Sequence, residues 1–496
     1  MIRFSPLPNR ANVIQWREWG ADAFEAAGRE EKPIMVFVAA FWCRYCQRMD
    51  EEAFSEDDVI ALLNAFFVSI RVEEGQRPDV SLRYNLNGWP TVAFITPQGE
   101  LLAVTNYQPR ETFASILARV YKAHQDRKGG EAPAAGEREV ERSATAPVAA
   151  SSKEGMLLDT IEAIFQIADA EHGGYGHGQK FIVPEANDFL LSVYESTREP
   201  RCLDHVRSTL DRMRAGAIYD EAEGGYFRTC SNPDWSRPHR EKLLREQAGM
   251  LRNCLRAFRI TRDAAYARMA GEIIDYLDRR LSTADGPLLG CEDFLRNEIP
   301  EPSGKEYFAI IDRCLYTDAN ADAALAYLEA GEVLRRGDLV ERARKCLDFL
   351  WEHCASEDGA VCHSYFDGRA DPFGLLMDQS ALGTALIEAY RSTGNPSWLN
   401  RARLVGGFIE NRLKNSDGGY FDSAEPGPGY LRLRLTLIEQ NGAAASFFLR
   451  LAQATSDMSY RDDAAWALEA FNDPGSHGIH AAAFGRALNE FLYGIF

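Results

Sequence analysis

The stretch Pro33-Ile34-Met35-Val36-Phe37-Val38-Ala39-Ala40-Phe41-Trp42-Cys43-Arg44-Tyr45-Cys46 decides how the first part of this chain is read. An unbroken apolar run rich in β-branched and aromatic residues predicts a strand buried on both faces, here Ile34 to Phe41. Two cysteines follow, at the start of a helix-patterned segment predicted from Cys46 to Asn64. A thiol at a helix start lies among unsatisfied N–H groups and at the positive end of the macrodipole, which together favour a thiolate. Cys43 is therefore expected to be the attacking nucleophile and Cys46, one turn in, the resolving thiol of thiol–disulfide exchange. Arg44 adds a positive charge between them.

The flanking pattern strengthens that reading. Val13 to Glu30 reads as an amphipathic helix and Phe66 to Val72 as a strand. Asn87-Gly88-Trp89-Pro90 opens a strand from Thr91 to Thr96, and a Pro97-Gln98-Gly99-Glu100 turn leads into Leu101 to Thr105. A last helix is predicted from Pro109 to about Lys122. The order helix, strand, helix, strand, short helix, hairpin, helix resembles a thioredoxin domain with a degenerate first strand. That resemblance implies a cis-proline at Pro90 facing the dithiol. Thioredoxins carry a buried carboxylate six residues before the first cysteine, where this chain has Phe37, so proton delivery to Cys46 needs another group. The bland alternative is a pair of buried cysteines at a helix start with no redox role. No second C-x-x-C or nearby His pair completes a zinc site, and no metal or cofactor is expected.

A length of 496 residues predicts two or three domains. Net charge is −19, from 55 Lys and Arg against 74 Asp and Glu, which argues against nucleic-acid or anionic-membrane binding. The first residues lack an apolar signal-like core, and no apolar run approaches the ~20 residues of a membrane span, so a cytoplasmic location is the default expectation. Eight further cysteines are scattered without a framework and are expected to be reduced. From His124 to Ser152 large apolar residues almost vanish, which predicts a flexible linker. The expected domains are thus 1–123, a linker over 124–152, and 153–496.

From Glu154 onward the period is helical, in about twelve segments. Long and short links alternate, and the long ones repeat an acidic-then-glycine-aromatic phrase: His172-Gly173-Gly174-Tyr175, Glu223-Gly224-Gly225-Tyr226, Asp358-Gly359 before Tyr365, and Asp417-Gly418-Gly419-Tyr420. Recurring helical hairpins with their long loops at one end predict a closed (α/α)6 toroid with a funnel at that end. His239 and Glu241, just ahead of a helix, are the acid–base candidates there, with Tyr219, Asp220 and Asp318 expected to join them in a second site for a carbohydrate-like ligand. Helix capping is the alternative for Asp220 and Asp318. His353-Cys354 and Cys362-His363 flank the Asp358-Gly359 turn with ligand-type side chains, for which two ordinary hairpin stems are the simpler reading.

Residues from both domains resemble, in order, the thioredoxin-domain family that includes spermatogenesis-associated protein 20, with a toroid similar to N-acylglucosamine 2-epimerases. They include Cys43, Cys46, Met49, Phe54, Arg77-Pro78-Asp79-Val80 and Gly88-Trp89-Pro90. In the second domain they are Lys180-Phe181, Ile218-Tyr219-Asp220, Gly224-Gly225, Pro238-His239, Glu241-Lys242, Thr317-Asp318 with Asn320, and Asp378. The family pattern has histidines beside the cysteines where this chain has Arg44, Tyr45 and Gln47, and a tyrosine–aspartate pair where it has Arg245 and Glu246. The expected activity is thiol–disulfide oxidoreduction on a protein client, using Cys43, Cys46 and Pro90, with a toroid that binds the client or a small polar ligand. A sugar epimerase, isomerase or glycosidase-like enzyme and a non-catalytic two-module scaffold are the alternatives.

Overall fold

The computed structural model describes residues 2–86, 88–128, 152–296 and 307–495. It separates into two compact units, residues up to 146 with 425–434, and residues 147–424 with 435–496.

The first unit is built on a five-stranded sheet: β1 (Trp16–Arg17), β2 (Ile34–Ala39), β3 (Val68–Glu73), β4 (Thr91–Ile95) and β5 (Leu101–Thr105), in the order β1-β3-β2-β4-β5. β1, β3 and β2 run parallel, and β4 and β5 add antiparallel. Every residue of β2 is buried. Alternation along the strand sends Met35 and Phe37 into one apolar cluster and Ile34, Val36 and Val38 into another on the opposite face. Helices α1 (Ala21–Glu30), α2 (Arg44–Glu51), α3 (Asp57–Phe66), α4 (Pro78–Tyr84) and α5 (Arg110–Lys128) cover the two faces. Within this unit Tyr430 stacks on Tyr84 with ring centroids 5.1 Å apart.

Two expected helices are broken. The Val13–Glu30 segment becomes a 3-10 turn at Ala11–Val13, then β1 beside Ser69 and Ile70, then α1. The Cys46–Asn64 segment splits into α2, a 3-10 turn at Ala53–Ser55, and α3. Non-helical backbone at Glu52 turns Phe54 inward, where its fully buried ring meets Trp16, Phe37 and Phe113. Burial of one large aromatic stabilises by roughly 1.5–3 kcal/mol, more than a continuous turn of helix would contribute. α5 runs to Lys128, past the expected Lys122, and residues 129–151 of the expected linker lie outside the described residues.

The second unit contains α6 (Lys153–Ile167), α7 (Pro184–Thr197), α8 (Pro200–Ala215), α9 (Leu244–Thr261), α10 (Ala264–Arg280), α11 (Thr317–Val333), α12 (Gly337–Cys354), α13 (Leu376–Thr393), α14 (Pro396–Phe408), α15 (Ile438–Thr455), α16 (Ser459–Leu468) and α17 (Ala482–Tyr493). The odd-numbered helices from α7 contact one another in sequence, and α17 returns to α7, which closes the inner ring. α6 and the other even-numbered helices pack outside it, giving the (α/α)6 toroid. Short strands decorate the long links in three-stranded sheets: β6 (Lys180–Phe181), β7 (Thr229–Cys230) and β8 (Pro238–His239); β9 (Lys242–Leu243), β10 (Cys291–Arg296) and β11 (Tyr307–Asp312); and β12 (Leu315–Tyr316), β13 (Cys362–Phe366) and β14 (Arg369–Phe373).

The repeated glycine phrase has a physical basis. A single β-bridge closes each turn, pairing Ala168 with Tyr175, Tyr219 with Tyr226, and Lys414 with Tyr420. Asp169 accepts from the Glu171 and His172 N–H groups and from Lys180 Nζ at 2.7 Å, while Lys180 also donates to the Gly173 and Gly176 carbonyls. The next hairpin repeats the device with Asp220, the Ala222 and Glu223 N–H groups, Lys242 and the Gly224 carbonyl. Gly174 and Gly225 adopt φ of +69° and +75°, and a Cβ at either would lie within 3 Å of the Trp235 or Tyr276 ring.

Candidate functional site

Cys43 is the N-cap of α2, and its Sγ accepts the Cys46 N–H at 3.2 Å. The cysteine pair is therefore held by the start of the helix itself. Both thiols are more enclosed than a helix-start position suggests, Cys43 being 6% and Cys46 2% exposed. Burial and the neighbouring Cys43 sulfur push the Cys46 thiol well above its ordinary value, so it stays protonated at neutral pH. Arg44 extends along the helix to Glu51 at 2.7 Å, which offsets the charge expected to act between the cysteines.

Strand register brings a third element to the dithiol. Thr91 pairs with Val38 near the end of β2, so Pro90 lies just past the strand end from which the Cys43 loop departs. The Trp89–Pro90 bond is cis. Trp42 and Trp89 meet edge to face at 5.1 Å, joining the two loops. Nearby, half-exposed Tyr45 packs 5.4 Å from Tyr107, with Arg48 over both rings.

Phe37 offers no carboxylate to the dithiol, and the next strand carries one close by. Glu73 ends β3 opposite Ala39, accepts the Phe41 N–H at 2.7 Å, and exerts its field on Cys46. Below it, Asp50 and Arg71 form a buried two-pronged ion pair at 2.7 and 2.8 Å. Phe4, Trp16 and Phe37 surround the guanidinium, and the Ser5 N–H donates to the carboxylate. Burial outweighs Arg71 and holds the Asp50 carboxyl above its ordinary value. The pair fastens α2, and with it the cysteines, to the sheet.

The five second-site candidates are distributed unequally. His239 is half exposed on β8, with Nε2 3.1 Å from Ser231 Oγ and Nδ1 4.0 Å from Glu241. Glu241 is buried against Arg228 at 2.8 Å. Tyr219 lies under the Arg214 guanidinium, and burial pushes its phenol up to about 12. Burial raises the Asp220 carboxyl, but Lys242 and two backbone N–H groups outweigh it and hold Asp220 below the usual range. Asp318 instead lies on a cavity of about 480 Å³ within the toroid, which the other four do not line.

That cavity presents residues the sequence reading passed over. Asp322 stands one turn after Asp318 on α11, so both carboxylates project from one helix face. Burial pushes the Asp322 carboxyl up to about 6, against the opposing pull of Arg252 and Arg245. Ser380 Oγ and Gln440 Oε1 are buried on the lining without a hydrogen-bond partner. A polar ligand would satisfy both.

Residues 7–137 match the family model Thioredox_DsbH, described as a protein of unknown function, DUF255. Rat spermatogenesis-associated protein 20 is 29% identical over 58% of this chain and 39% of its own length. An uncharacterised Caenorhabditis elegans protein, B0495.5, is 27% identical over 92% of this chain and 62% of its own. The disulfide bond reductase DsbH of Chlamydia pneumoniae is 25% identical over 21% of this chain and 68% of its own. The chain thus spans about 40% of the length of the mammalian relatives it matches. Among solved structures, cellobiose 2-epimerase from Bacillus thermoamylovorans aligns with a TM-score of 0.53 at 14% identity, covering 64% of this chain and 85% of its own. A family 76 glycoside hydrolase (mannosidase) from Bacteroides thetaiotaomicron aligns at 0.51 and 11% identity, covering 68% of this chain and 98% of its own. These low identities speak for the fold alone. The amino-terminal segment has a thioredoxin-like fold and matches the DUF255 model, in a chain similar to spermatogenesis-associated protein 20 whose toroid has the fold of 2-epimerases and family 76 glycoside hydrolases.

Proposed function

We propose that the chain is a thiol–disulfide oxidoreductase acting through Cys43 and Cys46 on a protein disulfide. The observation that carries this reading is the 3.2 Å contact from the Cys46 N–H to Cys43 Sγ, which sets the first sulfur at the N-terminus of α2 and the second one turn in. The Cys43 thiolate attacks one client sulfur, forming a mixed disulfide as the other client sulfur leaves as thiolate. Cys46 then loses its proton and attacks Cys43 Sγ, closing the Cys43–Cys46 disulfide and releasing the second client thiolate. Because Cys46 holds its proton tightly, a base is needed for the second step, and Glu73 is the nearby carboxylate suited to it. Pro90 and the Tyr45 and Tyr107 rings position the client backbone. A redox-active relative of the DsbH type supports the assignment. Dithiothreitol-driven insulin reduction tests it, with activity no higher than that of Cys43→Ser as the contrary result.

A second reading concerns the toroid, whose cavity has the volume of an ordinary small-ligand site and mixes apolar with charged side chains. Asp322, poised near neutral pH beside Asp318, suits proton transfer on a sugar-sized polyol better than half-exposed His239 with Glu241 tied to Arg228. Deuterium incorporation into D-mannose or cellobiose, followed by NMR in heavy water, tests epimerase-type chemistry; no exchange, or exchange unaltered in Asp322→Asn, contradicts it.

The raised Asp322 value also has a consequence for stability. A carboxyl with a folded-state value near 6 and an unfolded value near 4 favours the fold below pH ~4 and loses that contribution as pH rises through 6. In the presence of chelator, Asp322→Asn is therefore expected to be more stable than the parent by about 1–3 kcal/mol at pH 7–8. The gain should vanish below pH ~4. Denaturant titration at the two pH values checks this, and an equal effect at both would contradict it.

A further inference from the structure

We propose that Asp318, His363 and Asp378 form a binding site for a divalent first-row transition metal on the wall of the toroid cavity. The three residues come from the first turn of α11, from β13, and from the first turn of α13. His363 Nδ1 lies 3.0 and 3.1 Å from the two Asp378 oxygens, and one ligand atom from each residue lies within 4.8 Å of the others. Ligands held about 2.1 Å from a common ion stand roughly 3.0–3.4 Å apart, so small side-chain rotations suffice to close the set.

Charge argues for a cation here. Two carboxylates and one imidazole are buried together, Asp318 8%, His363 3% and Asp378 0% exposed. The field of Arg245 reaches Asp318 but is shared with Glu185, Asp322 and Glu439. The two helix N-termini stabilise one carboxylate each, and the Asp318 N–H donates to Asp378 Oδ1 at 3.2 Å. A protonated His363 would supply one positive charge against two buried carboxylates, and a divalent cation would balance both.

An independent observation lies on the cavity that Asp318 lines. Ser380, two residues after Asp378, is 1% exposed, and its Oγ lacks a hydrogen-bond partner although it belongs to the cavity lining. Water on a bound ion would supply that partner. The donor set, one imidazole and two carboxylates without thiolate, selects Zn²⁺, Mn²⁺ or Fe²⁺ over Mg²⁺ or Ca²⁺. Cys362 precedes His363 on β13, so its side chain points to the opposite face of the strand. Three protein ligands leave coordination positions open, and Asp318 connects them to the cavity. This site stands whether or not the cavity performs sugar chemistry.

The test uses the full chain carrying Cys43→Ser and Cys46→Ser, so that the dithiol cannot bind the ion. Chelator-stripped protein is loaded with Zn²⁺ or Mn²⁺, desalted and analysed by elemental mass spectrometry. The expected result is about one retained ion per chain, a rise in the melting temperature on loading, and at least roughly tenfold weaker binding in His363→Asn and Asp378→Asn. Asp318→Asn, at the cavity edge, covers the case in which those variants fail to fold. Loading with Co²⁺ adds a second readout, visible bands without a thiolate charge-transfer band. No retained ion, retention unaffected by folded variants, or a thiolate band overturns the proposal.

Discussion

Cys43→Ser is expected to abolish disulfide reduction, by on the order of a thousandfold or more, because a serine hydroxyl is not ionised at neutral pH and cannot replace the thiolate. Cys46→Ser should fail differently. Its Cys43 can still attack, so the reaction stops at the mixed disulfide, and client should accumulate covalently on Cys43 in the intact-mass spectrum. The asymmetry follows from the geometry: Cys43 Sγ receives the helix-start N–H, whereas Cys46 is the more enclosed thiol and keeps its proton. Trapping by Cys43→Ser instead would reverse the roles, and equal residual activity in both variants would remove the dithiol from the reaction.

Arg71→Ala is expected to destabilise the amino-terminal unit by about 3–5 kcal/mol, since it leaves the Asp50 carboxylate buried without its partner. It should also slow disulfide reduction, because Asp50 lies on the helix that carries Cys46. Replacing both members, as Asp50→Leu with Arg71→Met, should recover most of the loss, because two apolar side chains carry no desolvation cost. Chemical denaturation followed by tryptophan fluorescence measures both. A loss below about 1 kcal/mol in the single variant would class the pair with ordinary surface ion pairs.

Much of this was legible in the chain because periodicity reports burial. The run Ile34 to Ala39 is apolar throughout and becomes the strand buried on both faces, and the twelve helical segments of the toroid correspond to α6 through α17. The Gly-Gly-Tyr phrases announced turns because positive φ against a packed ring admits only glycine. What stayed hidden depends on distant partners. Nothing near Arg71 in sequence indicates Asp50, and Glu73 comes beside the Phe41 N–H only through its register with Ala39. Strands β6 to β9 and β12 are two residues long, so they leave no alternation to read. Asp220 and Lys242 drew attention as family-like residues, and their contacts are those of a turn. Asp322 left a readable signal, a carboxylate four residues after Asp318 on a helical period, which points both at one face.

The most direct test of the redox assignment is equilibration of the full chain with glutathione or dithiothreitol buffers of graded potential, followed by acid quench, alkylation and peptide mass spectrometry. The expected result is a two-electron transition, about 30 mV per decade, confined to a Cys43–Cys46 disulfide, with a midpoint between roughly −270 and −120 mV, the span of thioredoxin-fold reductants and oxidants. Cys43 should be the first residue alkylated in the reduced protein. Cys43 and Cys46 remaining free thiols at every potential, or each pairing with glutathione but never with the other, would contradict it.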